Sequence, residues 1–187
     1  MAGIEIGIMA HNEAGNLSAL LGRLMDEPVE ARICIVSSGS TDGTDHIAEA
    51  WAETHPEVRT IIEPQRRGKA RAINRFLASI PTETHAVVLI SGDVIPNPGT
   101  LGRLLAPLQD PKVRMTGGRP CPANPARGMV NRIVHFQWML HDRIARDRPK
   151  LGEMVAFRPP VRPIDPDTVV DEAALEAQLT QEAGRLH

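Results

Sequence analysis

The chain has 187 residues, 42% of them hydrophobic, so it can bury one sizeable core, and we predict a single domain over residues 1–187. Its aromatic content is 3% with no tyrosine and its formal net charge is −2, which argues against a nucleic-acid partner. No apolar run reaches the length of a membrane span, no signal peptide is recognised and only two cysteines occur, so we expect a cytoplasmic protein.

Short apolar runs alternate with amphipathic segments along most of the chain. The apolar runs are typical of strands buried on both faces of a parallel sheet, and the segments between them repeat their apolar residues at helical spacing. This alternation predicts an α/β fold with a doubly wound, mostly parallel sheet and helices on both faces. The predicted strands are 4–10, 33–36, 58–62, 86–90 and 113–116, and the predicted helices are about 13–24, 44–54, 69–77, 101–108 and 126–147.

The apolar run 86–90 ends at Ser91-Gly92-Asp93. In an open α/β sheet, ligands bind outside the carboxyl ends of the strands. A carboxylate at that edge, beside a glycine that allows close approach, is suitably placed to hold a metal ion or a phosphate group. An aspartate that only caps the loop or the following helix fits the same pattern.

Polar turns follow the other predicted strands at the same edge of the sheet. They comprise Asn12-Glu13, residues 38–42 and residues 67–69. Two common phosphate-binding motifs fail here, because Glu63 stands where a Walker A loop needs glycine and no G-x-G-x-x-G follows the first strand. Strand order alone therefore does not identify the ligand.

Four strand-end segments together resemble family 2 glycosyltransferases of the GT-A fold. Residues 9–13 resemble the family's P-A-Y-N-E, with His11 in place of tyrosine, and residues 35–44 resemble V-D-D-G-S-T-D-G-T. Residues 67–74 resemble N-R-G-K-A-x-A-L-N, and Ser-Gly-Asp at 91–93 falls where the family has D-A-D. The four segments occur in the family's order and spacing, and the resemblance extends from residue 4 nearly to the end.

The resemblance implies transfer of a sugar from a UDP- or GDP-sugar to an acceptor hydroxyl, with inversion. It implies that Asp93 binds Mg²⁺ or Mn²⁺, because a hard cation with oxygen ligands stabilises the charge that grows on the leaving diphosphate. Asn12 fits the capping of the first helix equally well, and Arg67 and Lys69 also fit solvated charges at a helix start. The implied nucleotide-sugar-binding residues are Ala10, Asn12, Glu13, Ser38, Arg67, Lys69, Ser91, Gly92 and Asp93.

Two departures from the family pattern bear on the predicted site. The paired aspartates after the second strand, one of which usually contacts the nucleobase, are here Ser37 and Ser38, and a hydroxyl is a weaker partner than a carboxylate. The first aspartate of D-x-D is Ser91, which leaves Asp93 as the carboxylate there. A degenerate, non-catalytic nucleotide-sugar-binding module is therefore one alternative. A nucleotidyltransferase of similar fold is another, but it would need a glycine-rich, basic first loop that residues 11–15 do not provide.

We assign residues 1–119 to a nucleotide-sugar-binding half and residues 120–187 to an acceptor-side half. The resemblance places residues 151–158 beneath the acceptor site, and Asp171-Glu172 falls where the family's E-D pair provides the catalytic base. The same pair fits the start of an acidic helix, where the helix dipole stabilises carboxylates. The chain ends soon afterwards, so we expect either a small family member or one that lacks a C-terminal portion.

Basic residues recur along the predicted helix 126–147, between apolar positions. A core-packed helix with a solvated basic side fits this pattern. A surface helix near anionic lipid headgroups, or near a lipid-phosphate acceptor, fits it as well. We therefore expect a sugar or lipid-linked acceptor and a peripheral contact with the inner membrane face through the basic segment 127–150.

Overall fold

The structure, a computed structural model, describes residues 3–123, 125–145, 153–168, 171–181 and 185–186. The strands are β1 (Gly3–Ala10), β2 (Arg32–Ser38), β3 (Val58–Glu63), β4 (Thr84–Ser91), β5 (Val113–Gly117), β6 (Met154–Phe157) and β7 (Arg185–Leu186). The helices are α1 (Leu17–Met25), α2 (Thr44–Thr54), α3 (Lys69–Leu77), α4 (Thr100–Leu105), α5 (Gly128–Ala145) and α6 (Asp171–Gln181), and a 3-10 turn (Ala106–Gln109) follows α4.

The strands form one sheet in the order β3-β2-β1-β4-β6-β5-β7. β1 pairs in parallel with β2 and β4, β2 pairs in parallel with β3, and β5 pairs in parallel with β7. β6 is antiparallel to both of its neighbours, β4 and β5. The predicted doubly wound, mostly parallel sheet is therefore confirmed. β6 belongs to the predicted acceptor-side half, yet it lies between two strands of the predicted nucleotide-sugar-binding half.

Helices cover both faces of the sheet and enclose two apolar clusters. One cluster holds the buried leucines of α1 together with Ile6 and Ile8 of β1. The other holds Phe76 and Ile73 of α3 with Met9, so successive residues of β1 supply opposite faces. Each fully buried leucine or phenylalanine contributes roughly 1.5–3 kcal/mol, which makes these clusters the main stabilising element of the fold.

A buried carboxylate, Glu5, lies within the sheet and is held by two arginines. Arg32 Nε is 2.5 Å from one carboxylate oxygen of Glu5, and Arg59 Nη2 is 3.2 Å from the other. Arg59 also donates to Cys34 Sγ at 3.0 Å. Burial raises the pKa of the Cys34 thiol to about 11, so this cysteine is protonated at neutral pH and is not a nucleophile.

Three helices differ in extent from their predicted bounds. α1 begins at Leu17 instead of near residue 13, because the preceding residues form a turn in which the Glu13 carbonyl accepts from the Leu17 amide at 2.9 Å. The helix predicted at 101–108 ends at Leu105 and continues as a 3-10 turn containing Pro107, whose ring nitrogen has no hydrogen to donate. The described part of the helix predicted at 126–147 is Gly128–Ala145.

The segment after β6 is tied to α3 by a side-chain amide. Asn74 Nδ2 donates to the Ile164 carbonyl at 2.7 Å, and the Ile164 amide donates to Asn74 Oδ1 at 2.8 Å. Because a single asparagine replaces both missing backbone partners of Ile164, this irregular segment is fixed against the helix that follows β3.

Candidate functional site

A pocket of about 220 Å³ opens at the carboxyl ends of the central strands β1 and β4, and we call it the strand-end pocket. The strand order reverses between β1 and β4, and such a switch point is the usual ligand site of an open α/β sheet. The lining residues are Met9, Ala10, His11, Glu13, Ser38, Arg66, Gly68, Lys69, Ala72, Ser91, Gly92, Asp93 and Glu153.

The strand-end pocket brings together the predicted nucleotide-sugar-binding residues, with two exceptions. The exceptions are Asn12, which does not line it, and Arg67, which lines a neighbouring pocket of about 240 Å³ with Glu63, Arg71, Asn74 and Arg75. The predicted residues that do line it are Ala10, Glu13, Ser38, Lys69, Ser91, Gly92 and Asp93.

Asn12 joins the loop after β1 to the loop after β2. Its backbone is in the left-handed region at φ 58°, a conformation that asparagine tolerates better than most residues. Its side-chain oxygen accepts from the Thr41 amide at 2.8 Å, and its own amide donates to Ser40 Oγ at 3.2 Å. Asn12 therefore neither lines the pocket nor caps α1, whose N-cap is Asn16.

A second set of hydrogen bonds fastens the same two loops. Asp42 accepts from the Ala14 amide at 3.0 Å, and the Thr44 hydroxyl accepts from the Glu13 amide at 2.8 Å. The hydroxyl of Thr44 and the amide of Ala14 hold the pKa of the Asp42 carboxyl below its ordinary value, since both stabilise the charged form. The loop that presents Glu13 is thus held in place by the fold.

The two serines that follow the apolar part of β2 have different environments. Ser37 is fully buried, and its hydroxyl donates to Asp45 Oδ1 at 2.5 Å, so it belongs to the packing beneath α2. Ser38 lines the strand-end pocket, and its hydroxyl donates to Glu63 Oε2 at 2.8 Å. Of these two positions, only Ser38 is placed to contact a ligand in this pocket.

The turn Ser91-Gly92-Asp93 closes the pocket beside β1. The Gly92 amide donates to the Met9 carbonyl at 2.9 Å, and a Cβ at Gly92 would lie 2.8 Å from Glu13 Cγ, so the close approach requires glycine. Asp93 is exposed at the pocket edge. Within the described part of the chain its carboxylate accepts no hydrogen bond, so it does not cap the loop.

Glu153 and His11 line the pocket without having been predicted as site residues. The Glu153 carbonyl accepts from the Ser91 amide at 3.0 Å, because β6 runs antiparallel beside β4 and brings Glu153 to the end of that strand. His11 Nδ1 lies 2.8 Å from the Ser38 carbonyl, which orients the imidazole at the pocket wall. His11 occupies the tyrosine position of the family pattern, and this match to the pattern is the feature of the sequence that could have identified it as a site residue.

The donor set of the pocket suits a metal ion that is also ligated by substrate. Among the described residues, no group of three or more histidine, cysteine, aspartate and glutamate side chains is close enough to hold a metal ion. Mg²⁺ is commonly held by one or two carboxylates, with substrate phosphates and water completing the shell. The exposed Asp93 carboxylate and the Ser91 hydroxyl are hard oxygen donors that fit this arrangement.

The predicted catalytic pair lies at the start of the last described helix. α6 begins at Asp171, which agrees with the expectation of an acidic helix start. The side chains of Asp171 and Glu172 lie outside the described residues, so the role predicted for them stays a prediction.

Comparison with known proteins identifies the class. The sequence profile of glycosyl transferase family 2 matches residues 5–158, and the chain belongs to that family. The succinoglycan biosynthesis protein ExoA of Rhizobium meliloti (strain 1021) is 39% identical over 71 residues, which cover 37% of this chain and 21% of that protein.

Two solved structures show the same fold. A mannosyltransferase from Pyrobaculum calidifontis, PcManGT, in complex with GDP-Man and Mn²⁺, has a TM-score of 0.74 at 24% identity, covering 98% of this chain and 53% of that one. Glucosyl-3-phosphoglycerate synthase from Mycobacterium tuberculosis, in complex with UDP, has a TM-score of 0.61 at 23% identity. The match covers 99% of this chain and 69% of that one. The expected GT-A fold is confirmed, and the chain spans about a fifth of ExoA and about half of PcManGT.

Proposed function

We propose that the chain is an inverting glycosyltransferase that moves a sugar from a UDP- or GDP-sugar to an acceptor hydroxyl, assisted by Mg²⁺ or Mn²⁺. The observation that supports this most is the strand-end pocket, where predicted donor-binding residues from four separate loops converge at the switch point of the sheet. Membership of glycosyl transferase family 2 supports it as well.

Each part of the proposed reaction is assigned to residues of this chain. Lys69, at the first position of α3, contributes positive charge beside the donor diphosphate. Asp93, with Ser91, would hold the metal ion, which neutralises charge on the leaving group when bound. Asp171 or Glu172 accepts the proton of the acceptor hydroxyl as its oxygen attacks the anomeric carbon, and the nucleoside diphosphate leaves from the opposite side.

A thermal-shift panel tests the donor part of the proposal. UDP, GDP, CDP and ADP are each added with and without Mn²⁺, and at least one diphosphate is expected to raise Tm more with the metal than without it. At about 100 times Kd, a ligand stabilises the folded state by about 2.7 kcal/mol, or roughly 5–10 °C for a chain of this size. If no diphosphate shifts Tm at millimolar concentration, the donor site is misassigned.

The helix α5 is the basis of a second proposal, concerning a membrane surface. Its large apolar side chains recur every three or four residues and are unusually exposed, with Met129 at 80% and Phe136 at 53%. Arg132 and Arg143 are exposed on the same helix, and no acidic residue occurs between 111 and 141. The exposed apolar residues of α5 are Met129, Val130, Ile133, Phe136, Met139 and Leu140.

We propose that α5 lies flat on an anionic membrane, with this apolar stripe inserted and its arginines near the lipid headgroups. An apolar stripe beside basic residues is the usual pattern of interfacial helices, and the cytoplasmic leaflet is the anionic one. Among the described residues, no helix is both long and apolar enough to cross a membrane. An acceptor carried by a lipid would then approach the pocket from that surface.

We expect the double variant Ile133→Asp/Phe136→Asp to reduce binding of the 187-residue chain to vesicles containing phosphatidylserine by more than about tenfold. Burial of each of these side chains contributes roughly 1.5–3 kcal/mol, and 1.4 kcal/mol corresponds to tenfold in affinity. Vesicle co-sedimentation measures the change. Ile95→Asp, at another exposed apolar residue, is the matched control.

Vesicles of phosphatidylcholine alone should bind the unmodified chain less tightly, because the arginines then lack anionic partners. Equal binding of the double variant and the control would contradict the membrane contact. Concentration-dependent self-association without vesicle binding would also contradict it and would assign the stripe to a second copy of the chain.

A further inference from the structure

Glu153 lies directly beside Ser91, across the antiparallel pair that β6 forms with β4. Ile90 and Met154 are register partners at the ends of these strands, and the Ser91 amide donates to the Glu153 carbonyl at 3.0 Å, so the pairing continues by one residue. Residues directly opposite each other in such a pair share a face of the sheet and have Cβ atoms roughly 4.5–5.5 Å apart. The side chains of Ser91 and Glu153 therefore start from neighbouring points at the end of β4.

The alternation of side chains along the two strands shows which face this is. Leu89 of β4 and Val155 of β6 belong to the apolar cluster of α3, and the residue that follows the former and precedes the latter belongs to the cluster on the other face. Because side chains two residues apart in a strand share a face, Ser91 and Glu153 lie on the α3 face. Ala72 of α3 belongs to the same cluster and lines the strand-end pocket, so the pocket opens on that face.

The carboxylate of Glu153 has no protein partner within the described part of the chain. Glu153 is partly buried and lines the strand-end pocket, and no described residue donates a hydrogen bond to its carboxylate or pairs with its charge. Of the other acidic residues that line the pocket, Glu13 accepts from the side-chain amide of Asn16 at 2.8 Å. Because a partly buried carboxylate without a partner is costly, the carboxylates of Glu153 and Asp93 are the ones best placed to bind a cation.

We infer that Glu153 is a second carboxylate ligand of the divalent metal ion, together with Asp93, and supplies the charge that Ser91 lacks. The family pattern has aspartate at position 91, whereas this chain has a serine there and a glutamate opposite it. Glutamate is longer than aspartate by one methylene group, which helps its carboxylate to span the distance between the two strands. Two carboxylates completed by substrate phosphates and water are a common ligand set for Mg²⁺. The inference rests on the proposed function, since it concerns the metal ion that the donor diphosphate would share.

Glu153→Gln tests this assignment, because it keeps the size of the side chain and removes its charge. The affinities of UDP and GDP for the 187-residue chain are measured by calorimetry with and without Mn²⁺. We expect the increase in affinity that Mn²⁺ gives to fall by at least about tenfold, since changes around metal ligands cost roughly 10–100-fold. Without the metal, the variant should bind the same diphosphate at least as tightly as the unmodified chain, because a negative charge near the phosphates is gone. A residue that only supports the fold would instead weaken binding in both conditions.

The double variant Ser91→Asp/Glu153→Gln moves the carboxylate to the family position and should regain most of the lost Mn²⁺ dependence. Glu57→Gln is the matched control, because Glu57 is also partly buried and precedes a strand, and its carbonyl accepts from the Ile33 amide at 2.8 Å. Glu57 does not line the strand-end pocket, so its substitution should leave the Mn²⁺ dependence unchanged. Melting temperatures record that each variant is folded.

Three results would overturn the inference while leaving the proposed function in place. They are a folded Glu153→Gln with the full Mn²⁺ dependence, an equal loss of affinity with and without the metal, and a double variant that regains nothing. If the unmodified chain binds neither UDP nor GDP, or binds them without any effect of Mn²⁺, the metal-assisted function proposed above fails, and this inference fails with it.

Discussion

Asp93→Asn is expected to abolish metal-dependent nucleotide binding while leaving the fold intact. Asp93 is exposed at the edge of the strand-end pocket, and no described residue donates a hydrogen bond to its carboxylate, so its charge is available to a cation. An amide oxygen lacks that charge. Because changes around metal ligands cost roughly 10–100-fold in affinity, we expect the loss of the ligand itself to reach at least about 10²-fold. The thermal-shift panel with and without Mn²⁺ measures it.

Asp26→Asn is the matched control for this prediction. Asp26 is an exposed carboxylate at the carboxyl-terminal end of α1, and it does not line the strand-end pocket. Its substitution should leave both the nucleotide response and its Mn²⁺ dependence unchanged. If Asp93→Asn binds nucleotide with the Mn²⁺ dependence of the unmodified chain, Asp93 is not a metal ligand and the metal site is misplaced.

Replacement of the proposed catalytic base, Asp171 or Glu172, is expected to slow transfer with little change in donor affinity. One of Asp171→Asn and Glu172→Gln, and not both equally, should reduce transfer by at least about 10²-fold, because general base catalysis contributes roughly 10²–10⁴-fold. A residue that acts on the acceptor affects the transition state and not the donor complex. Transfer rates and donor Kd, measured on both variants, separate these quantities.

A purely structural role predicts a different pattern for these two residues. A carboxylate at a helix start contributes about 0.3–1 kcal/mol to stability, so its loss would lower Tm slightly and leave turnover alone. Asp167→Asn, an exposed carboxylate shortly before α6, serves as the control. If neither Asp171→Asn nor Glu172→Gln slows transfer, the base lies elsewhere and the role that the resemblance assigns to this pair is wrong.

The convergence of the strand-end loops could be predicted from the sequence because parallel strands place their carboxyl ends at one edge. The apolar runs marked the strands, and the polar residues after them marked the edge, so Glu13, Lys69 and Asp93 were placed correctly beside one pocket. This part of the prediction needs only strand direction and order, and both follow from the strand-helix alternation.

The remaining features of the site depend on contacts between distant segments. Glu153 reaches the pocket because β6 is inserted antiparallel beside β4, and no local pattern in the sequence indicates that pairing. Asn12 and Arg67 are next to pocket-lining residues in the sequence but do not line the pocket themselves. The side-chain oxygen of Asn12 accepts a hydrogen bond from the Thr41 amide, and Arg67 lines the neighbouring pocket. The bond from Ser38 to Glu63 requires the register of β2 against β3, which the sequence does not specify.

The most direct test of a glycosyltransferase assignment is release of nucleoside diphosphate from UDP- and GDP-sugars by the 187-residue chain in the presence of Mn²⁺. Water can replace the unidentified acceptor, so the measurement needs only the donor. We expect diphosphate release above the protein-free background for at least one donor, and we expect Asp93→Asn to return it to background. Tight donor binding without any release, from the same preparation, would contradict the assignment and leave a nucleotide-sugar-binding module.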